Sequence, residues 1–183
     1  MHILLDIGIW FATAAAMEGF AYLSHKYIMH GWGWKWHASH HTDHDALFER
    51  NDLYAVVFAI PSALMIYLGA VYDDTPLWPL LWIGAGTTTY GFMYFIVHDG
   101  LVHNRWPWRV VPRNKYMMRL VQAHRMHHAV HGKDGCVSFG FLVAPEVRKL
   151  KEDLRAMHGG ALANQAERRA NDESNAGRSG IGS

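Results

Sequence analysis

"HKYIMHGWGWKWHASHH", residues 25–41, places five histidines and three tryptophans directly after a long apolar run. Its meaning depends on what flanks it. Upstream, residues 3–24 (ILLDIGIWFATAAAMEGFAYLS) are almost continuously apolar; downstream, residues 53–72 and 77–97 form two more such runs. Each is about 20 residues long, enough for a helix to cross a ~30 Å hydrocarbon layer. They are apolar all round, unlike the one-faced helices at the surface of a soluble protein. The sequence therefore predicts an all-α fold: an integral membrane helical bundle of three spans with a histidine-rich cap. Residues 137–143 are a candidate fourth, short membrane-embedded piece. Residues 1–158 are expected to form one membrane domain. Residues 159–183, rich in Gly, Ala, Asn, Ser and charge, are expected to be a disordered tail.

The first run imitates a signal peptide, with Ala14-Ala15-Ala16 after an apolar stretch. It lacks a basic leader, and Asp6 interrupts it, so it reads as an uncleaved anchor. The formal net charge of +1 gives no global field that would attract nucleic acid, and no nucleic-acid partner is expected. A single cysteine, Cys136, rules out an internal disulfide and any cysteine-rich zinc or iron–sulfur site. It is expected to be a small buried apolar residue.

Topology brings distant histidines together. The first span ends near Ser24, where the first histidine group begins. The second span leads away, Asp73-Asp74-Thr75-Pro76 reverses the chain, and the third span returns to a second group that starts at His98. Both groups must emerge on one membrane face. That face also carries Lys26, Lys35, Arg50, Arg105, Arg109, Arg113, Lys115, Arg119, Arg125 and Lys133. The positive-inside rule makes it cytoplasmic, so a multi-pass protein of the cell membrane is expected, with the C-terminus inside.

The two groups repeat one pattern. His25 and His30 are followed by His37, His40 and His41; His98 and His103 are followed by His124, His127 and His128. Each copy reads HxxxxH, then HxxHH. On a helix the HxxHH positions share one face. The HxxxxH pair does not, because five residues at ~100° leave roughly 140° between the side chains. A π-bulge would bring them together. Alternatively the second histidine lies just past a helix end, with Gly31 or Asn104 as the terminating residue.

Ten imidazoles buried without a cation would be a costly set of polar groups, so metal binding is expected. Four satisfy one tetrahedral zinc; ten suit two ions of higher coordination number. Neutral imidazole is a good ligand for Fe(II), and spacing alone does not exclude zinc. His44 and His131 lie seven residues after the first histidine of each HxxHH, on the same helical stripe, and are candidates for supporting or structural roles.

The stretches "HKYIMHGWGWKWH", "NDLYAVVFA", "YFIVHDGLVHNRWP" and "AHRMHHAVHGKDGCVSFGF" resemble the membrane fatty acid hydroxylase superfamily of histidine-rich di-iron oxygenases. Within it they are most similar to the bacterial beta-carotene hydroxylase family. The similarity runs from about Met17 to His158, including the stretches between the histidine groups. The resemblance implies two non-haem iron ions, held by the ten histidines of the two patterns. It implies hydroxylation of the ionone rings of beta-carotene at carbon 3, through cryptoxanthin to zeaxanthin. Dioxygen would be co-substrate, and reduced ferredoxin with its reductase would supply electrons. Carotenoids and the lipid bilayer would be the other partners.

Glu18 lies inside the first span, seven residues before His25 and on about the same face. An intramembrane carboxyl is a functional candidate; it is expected to accept an N–H from a ligand histidine or to lie near the metal pair. Asp99, beside His98, is a weaker candidate of the same kind. The basic run from Arg105 to Arg119 would set topology or dock an acidic donor. Gly84, Gly86 and Gly91 would permit close helix packing or admit substrate. Residues from Pro145 carry Val147, Leu150, Leu154 and Met157 at helical spacing, an amphipathic helix lying against bundle or membrane. Rival readings are a fatty acid or sterol hydroxylase or desaturase, and a non-enzymatic membrane metal or haem carrier. A carrier would place ligands along or inside facing spans, and none falls within the second.

Overall fold

The computed structural model describes residues 3–42, 48–159, 168 and 171; His44 and nearly all of the C-terminal tail lie outside them. The described residues are helical with connecting loops and contain no strand. Helix α1 (Ile3–Leu23) runs unbroken into a π-helical segment, Ser24–Trp32. Helix α2 (Trp34–His37) and a 3₁₀ turn (Ala38–His41) follow. A second 3₁₀ turn (Arg50–Asp52) leads into α3 (Leu53–Val71). Helix α4 (Pro79–Phe95) continues as a π-helical segment, Ile96–Val102, before α5 (Lys115–His127) and α6 (Val147–His158).

Three continuous helices are long and apolar enough to cross a membrane: Ile3–Trp32, Arg50–Val71 and Pro79–Val102. The first and third extend past the apolar runs that mark them in the sequence. The polar residues at their ends do not stop the helix. They widen it, because the i→i+5 hydrogen bond accommodates one extra residue per turn. At the opposite end the reversal is tight: Thr75 bonds back to the Tyr72 carbonyl through its N–H (3.1 Å) and its hydroxyl (2.7 Å). Pro79 then opens α4 at a position that needs no N–H donor.

Helix α4 lies between α1 and α3 and packs against both. Two glycines make this possible. A Cβ on Gly86 would lie 2.6 Å from the Trp10 carbonyl and 2.8 Å from Thr13; one on Gly84 would lie 2.7 Å from the Ser62 carbonyl. Such contacts let backbones approach where lipid supplies no hydrophobic drive. Side-chain hydrogen bonds reinforce them: Trp10 Nε1 donates to Thr89 Oγ1 (3.0 Å), and Ser62 Oγ donates to the Gly84 carbonyl (2.8 Å). Gly91 faces open space, so packing accounts for two of the three glycines noted on this span.

The cap is a second, more conventional core. Leu150 and Leu154 of α6 bury themselves against Leu120, Ala123 and Met126 of α5, with Cys136 and Val137 alongside. The amphipathic helix therefore rests on α5, and Met157 stays exposed at its rim. Asn114 caps α5 by accepting from the Met117 N–H at 2.8 Å. Arg105 grips both carboxylate oxygens of Asp52 (2.9 and 2.8 Å), tying the loop after the third span to the start of α3. Residues 137–143 form no helix. They return as irregular backbone beside Glu18 of α1, whose carboxylate takes three of their N–H groups. Irregular backbone packed against an apolar, membrane-length helix is tolerable when protein satisfies its polar groups in this way.

Substituting Gly86 with Leu should therefore destabilise the bundle by roughly 1–3 kcal/mol through overpacking. The same change at Gly91 should leave thermal unfolding of the detergent-purified protein close to the parent; equal loss at both positions would contradict the α1–α4 contact described.

Candidate metal centre

Ten imidazoles meet where the first and third spans end. The π-helical segments make this possible. In Ser24–Trp32 the widened turn carries His25 and His30 to the same side, and Gly31, at φ −108° and ψ −122°, then breaks the helix. In the second copy the His103 N–H bonds to the His98 carbonyl five residues back at 2.9 Å, and Asn104 leaves the helix with φ +49°. Both routes open to the HxxxxH pairs operate together, the wide turn and then the helix end.

The Nε2 atoms converge in two sets. In the first, His25 lies 3.0 Å and His41 3.2 Å from His37, and His30 lies 3.1 Å from His127. In the second, His40 lies 3.0 Å from His98, and His103 and His128 each lie 2.9 Å from His124. His25, His30, His37 and His127 offer ligand atoms within 4.8 Å of one another, as do His40, His98, His103 and His124. Each set thus has five members, four from its own half of the chain and one from the other. The HxxHH spacing causes the exchange. Its i and i+4 histidines serve one set, while the i+3 histidine, His40 or His127, turns into the other.

The outward ring nitrogens decide the tautomer. Nδ1 donates to a carbonyl in His25 (Phe139, 2.9 Å), His30 (Lys133, 2.8 Å), His41 (Val130, 3.0 Å) and His127 (Val137, 2.9 Å). It donates to side-chain oxygens in His37 (Asn51, 2.7 Å), His40 (Glu49, 3.0 Å) and His98 (Asp99, 2.7 Å). A carbonyl or carboxylate oxygen only accepts, so the proton sits on Nδ1 and Nε2 presents a lone pair. Four of the close pairs, His25–His37, His37–His41, His30–His127 and His40–His98, are then lone pair against lone pair. That geometry is favourable only around a shared cation.

The spacing also speaks to coordination number. With metal–nitrogen bonds of roughly 2.1 Å, neighbouring ligands are separated by about 3.0 Å at 90° and about 3.4 Å in a tetrahedron. The observed 2.9–3.2 Å lies nearer the right-angled value. Electrostatics agrees with a ligand role. Burial lowers His37 and His103 to about 3 and His41 to about 4, and holds His40, His124, His127 and His128 well below the usual imidazole value. These rings stay neutral near pH 7 and keep their lone pairs available.

The two carboxyl candidates part ways. Asp99 accepts from His98 Nδ1 at 2.7 Å and lies 3.6 Å from Arg105. Glu18 is engaged elsewhere: one oxygen accepts from the N–H groups of Phe141, Leu142 and Val143 (3.0, 3.0 and 2.9 Å) and the other from the Tyr90 hydroxyl (2.7 Å). Of the two places expected for it, the bond to an imidazole is replaced by this loop contact, while one residue it bonds, Phe141, stacks on His25 of the first imidazole set. His131 is exposed and is not buried among the imidazole sets. Cys136 is buried as expected, and burial pushes its thiol up to about 12. Glu49 and Asn51, which orient His40 and His37, are residues that no sequence pattern singles out. A short polar run closing the histidine-rich loop was their only mark, and nothing in spacing connects them to a ring nine or fourteen residues away.

Phenylalanines close the remaining sides. Phe139 meets His25, His30 and His127 with ring centres 5.2–5.5 Å apart. Phe141 stacks on His25 (5.1 Å, 12°) and also touches His98 (5.6 Å), His124 (6.2 Å) and Tyr94 (4.5 Å).

Comparison with known proteins agrees with this architecture. The profile of the fatty acid hydroxylase family matches residues 10–144. A beta-carotene hydroxylase of Pantoea ananas is 63% identical over 151 residues, covering 82% of this chain and 84% of its own. One from Paracoccus sp. (strain PC1) is 55% identical over 159 residues, covering 86% of this chain and 94% of its own. A chloroplastic beta-carotene 3-hydroxylase of Haematococcus lacustris is 38% identical over 135 residues, covering 73% of this chain and 41% of its own. No solved structure matches. With a family profile spanning the bundle and the histidine cap, and relatives this similar along most of its length, the chain belongs to the fatty acid hydroxylase family and, within it, to the beta-carotene hydroxylases.

Proposed function

We propose that the chain hydroxylates carbon 3 of the two ionone rings of beta-carotene, giving cryptoxanthin and then zeaxanthin. Dioxygen is the co-substrate, and reduced ferredoxin with its reductase supplies electrons. The observation that carries this reading is the pair of four-imidazole groups, each extended to five by His41 or His128, at one end of a membrane bundle, in a chain whose relatives bear the name beta-carotene hydroxylase.

His25, His30, His37, His41 and His127 would hold one iron; His40, His98, His103, His124 and His128 would hold the other. An iron pair, when bound, supplies dioxygen activation and the oxidising power to break an unactivated C–H bond. The protein's own share is orientation. Nδ1 bonds fix seven of the ten rings before any ion arrives, so little reorganisation is left to binding. Five neutral nitrogens leave a six-coordinate ion one position for an exogenous ligand. Phe139, Phe141 and Tyr94 supply an apolar wall that keeps water from the centre.

The substrate is long, rigid and apolar, and belongs among lipid tails. A centre at the end of the bundle suits a molecule whose terminal ring rises to the headgroup level while its polyene stays in hydrocarbon. The new hydroxyl then emerges near water, and the second ring reacts after the molecule turns round. The arginines and lysines gathered at this end make it cytoplasmic. Arg109 and Arg113 there present positive charge to an acidic donor protein.

Expression in cells that accumulate beta-carotene should yield cryptoxanthin and zeaxanthin by chromatography; a ketocarotenoid, or an altered lipid with unchanged carotene, would overturn the assignment. Glu49→Ala removes the acceptor for His40 and should weaken the second iron's binding roughly 10–100-fold. Iron per chain at limiting iron should fall from two toward one, and Glu49→Gln should recover part of the loss.

A further inference from the structure

Glu18 bonds no imidazole, and its actual partners give it a different connection to the centre. It lies within the first membrane-crossing helix, yet it touches backbone that is far from it in sequence. Three consecutive N–H groups, from Phe141, Leu142 and Val143, converge on its Oε1. Oε2 accepts from Tyr90 of α4. Both oxygens accept only, the pattern of a carboxylate held in a backbone nest. The fit is close: a Cβ on Gly140 would lie 3.0 Å from Oε1 and 2.6 Å from the Val143 carbonyl. Tyr116 adds a bond from its hydroxyl to the Leu142 carbonyl at 2.6 Å.

What this nest holds matters for the centre. Phe141, whose N–H is the first of the three, is 7% exposed. Its ring reaches His25 of one imidazole set and His98 and His124 of the other. It therefore stands against both sets at once. On its backbone side lies Glu18, at membrane depth; on its ring side lie the ligands.

We propose that Glu18 is a positioning residue: by binding the N–H groups of 141–143 it fixes Phe141 as the wall between the paired imidazole sets and the apolar substrate. Without the carboxylate, three N–H groups at membrane depth lose their acceptor. The segment then has to find water or another partner, and Phe141 moves with it. The substrate-facing half of this inference rests on the proposed hydroxylation; the clamp itself does not.

The test compares Glu18→Ala, Glu18→Gln and Phe141→Ala, purified in lipid nanodiscs with iron bound. Amide hydrogen exchange over 140–143, iron per chain, and hydroxylated product per electron consumed are measured on each. In Glu18→Ala, exchange at 141–143 should quicken by at least ~10-fold, since each orphaned donor costs a substantial part of local stability. Iron should remain bound, and the product yield per electron should fall. Glu18→Gln keeps an amide oxygen for the three N–H groups and should restore slow exchange. Phe141→Ala should keep slow exchange yet reproduce the loss of yield. Unchanged exchange in Glu18→Ala overturns the clamp, as does loss of iron in both Glu18 variants, which would mark a direct role at the metal. Full yield in Phe141→Ala overturns the wall. If the parent hydroxylates no carotenoid, the exchange and iron measurements still decide the clamp, so the two failures stay distinct.

Discussion

The structure depends on one electrostatic constraint: imidazole lone pairs stand 3.0–3.2 Å apart in four pairs and face one another. Neutral rings do not choose this arrangement for its own sake, because two acceptors so close repel. Everything around the centre serves to impose it. Main-chain carbonyls of Phe139, Lys133, Val130 and Val137 and the side chains of Asn51, Glu49 and Asp99 hold the opposite ring nitrogen. A cation between the lone pairs would turn the cost of convergence into the reason for it.

The acceptors come from segments that look like mere connections. Val130 to Phe139 is irregular backbone between α5 and α6, yet it supplies four of the seven carbonyl or side-chain partners. Glu49 and Asn51 precede α3 and orient one histidine of each set. Asp52, in the same turn, grips Arg105, which in turn lies beside Asp99. The turn before the second span thus joins both imidazole sets to the loop after the third. The exchange of His40 and His127 between sets works to the same end. Neither half of the chain completes a set alone, so each set needs both halves packed together.

Much of this was legible in the residues. Three long apolar runs and a short reversing turn were enough to bring both histidine groups to one end, and the fold has that arrangement. The five-residue spacing of His25–His30 and His98–His103 pointed to a widened turn or a helix end, and the chain uses both. Other features left no local trace. The division of ten histidines into sets depends on which way i+3 turns relative to i and i+4, a matter of how two copies face each other. Glu18 shares a helical face with His25, which suggested a bond between them. Its carboxylate instead meets Tyr90 of α4 and three N–H groups more than 120 residues on, in a stretch with no periodicity to betray where it returns. Short-range patterns encode helices and faces; the irregular segments that orient the ligands are placed only by the finished packing.

X-ray absorption at the iron edge, combined with metal quantification on the same purified protein, tests the account most directly. The account predicts two ions per chain, each with about five nitrogen neighbours in a shell of imidazoles near ~2.1–2.2 Å and no sulfur neighbour. A single ion per chain, or a four-nitrogen tetrahedral shell, would contradict it.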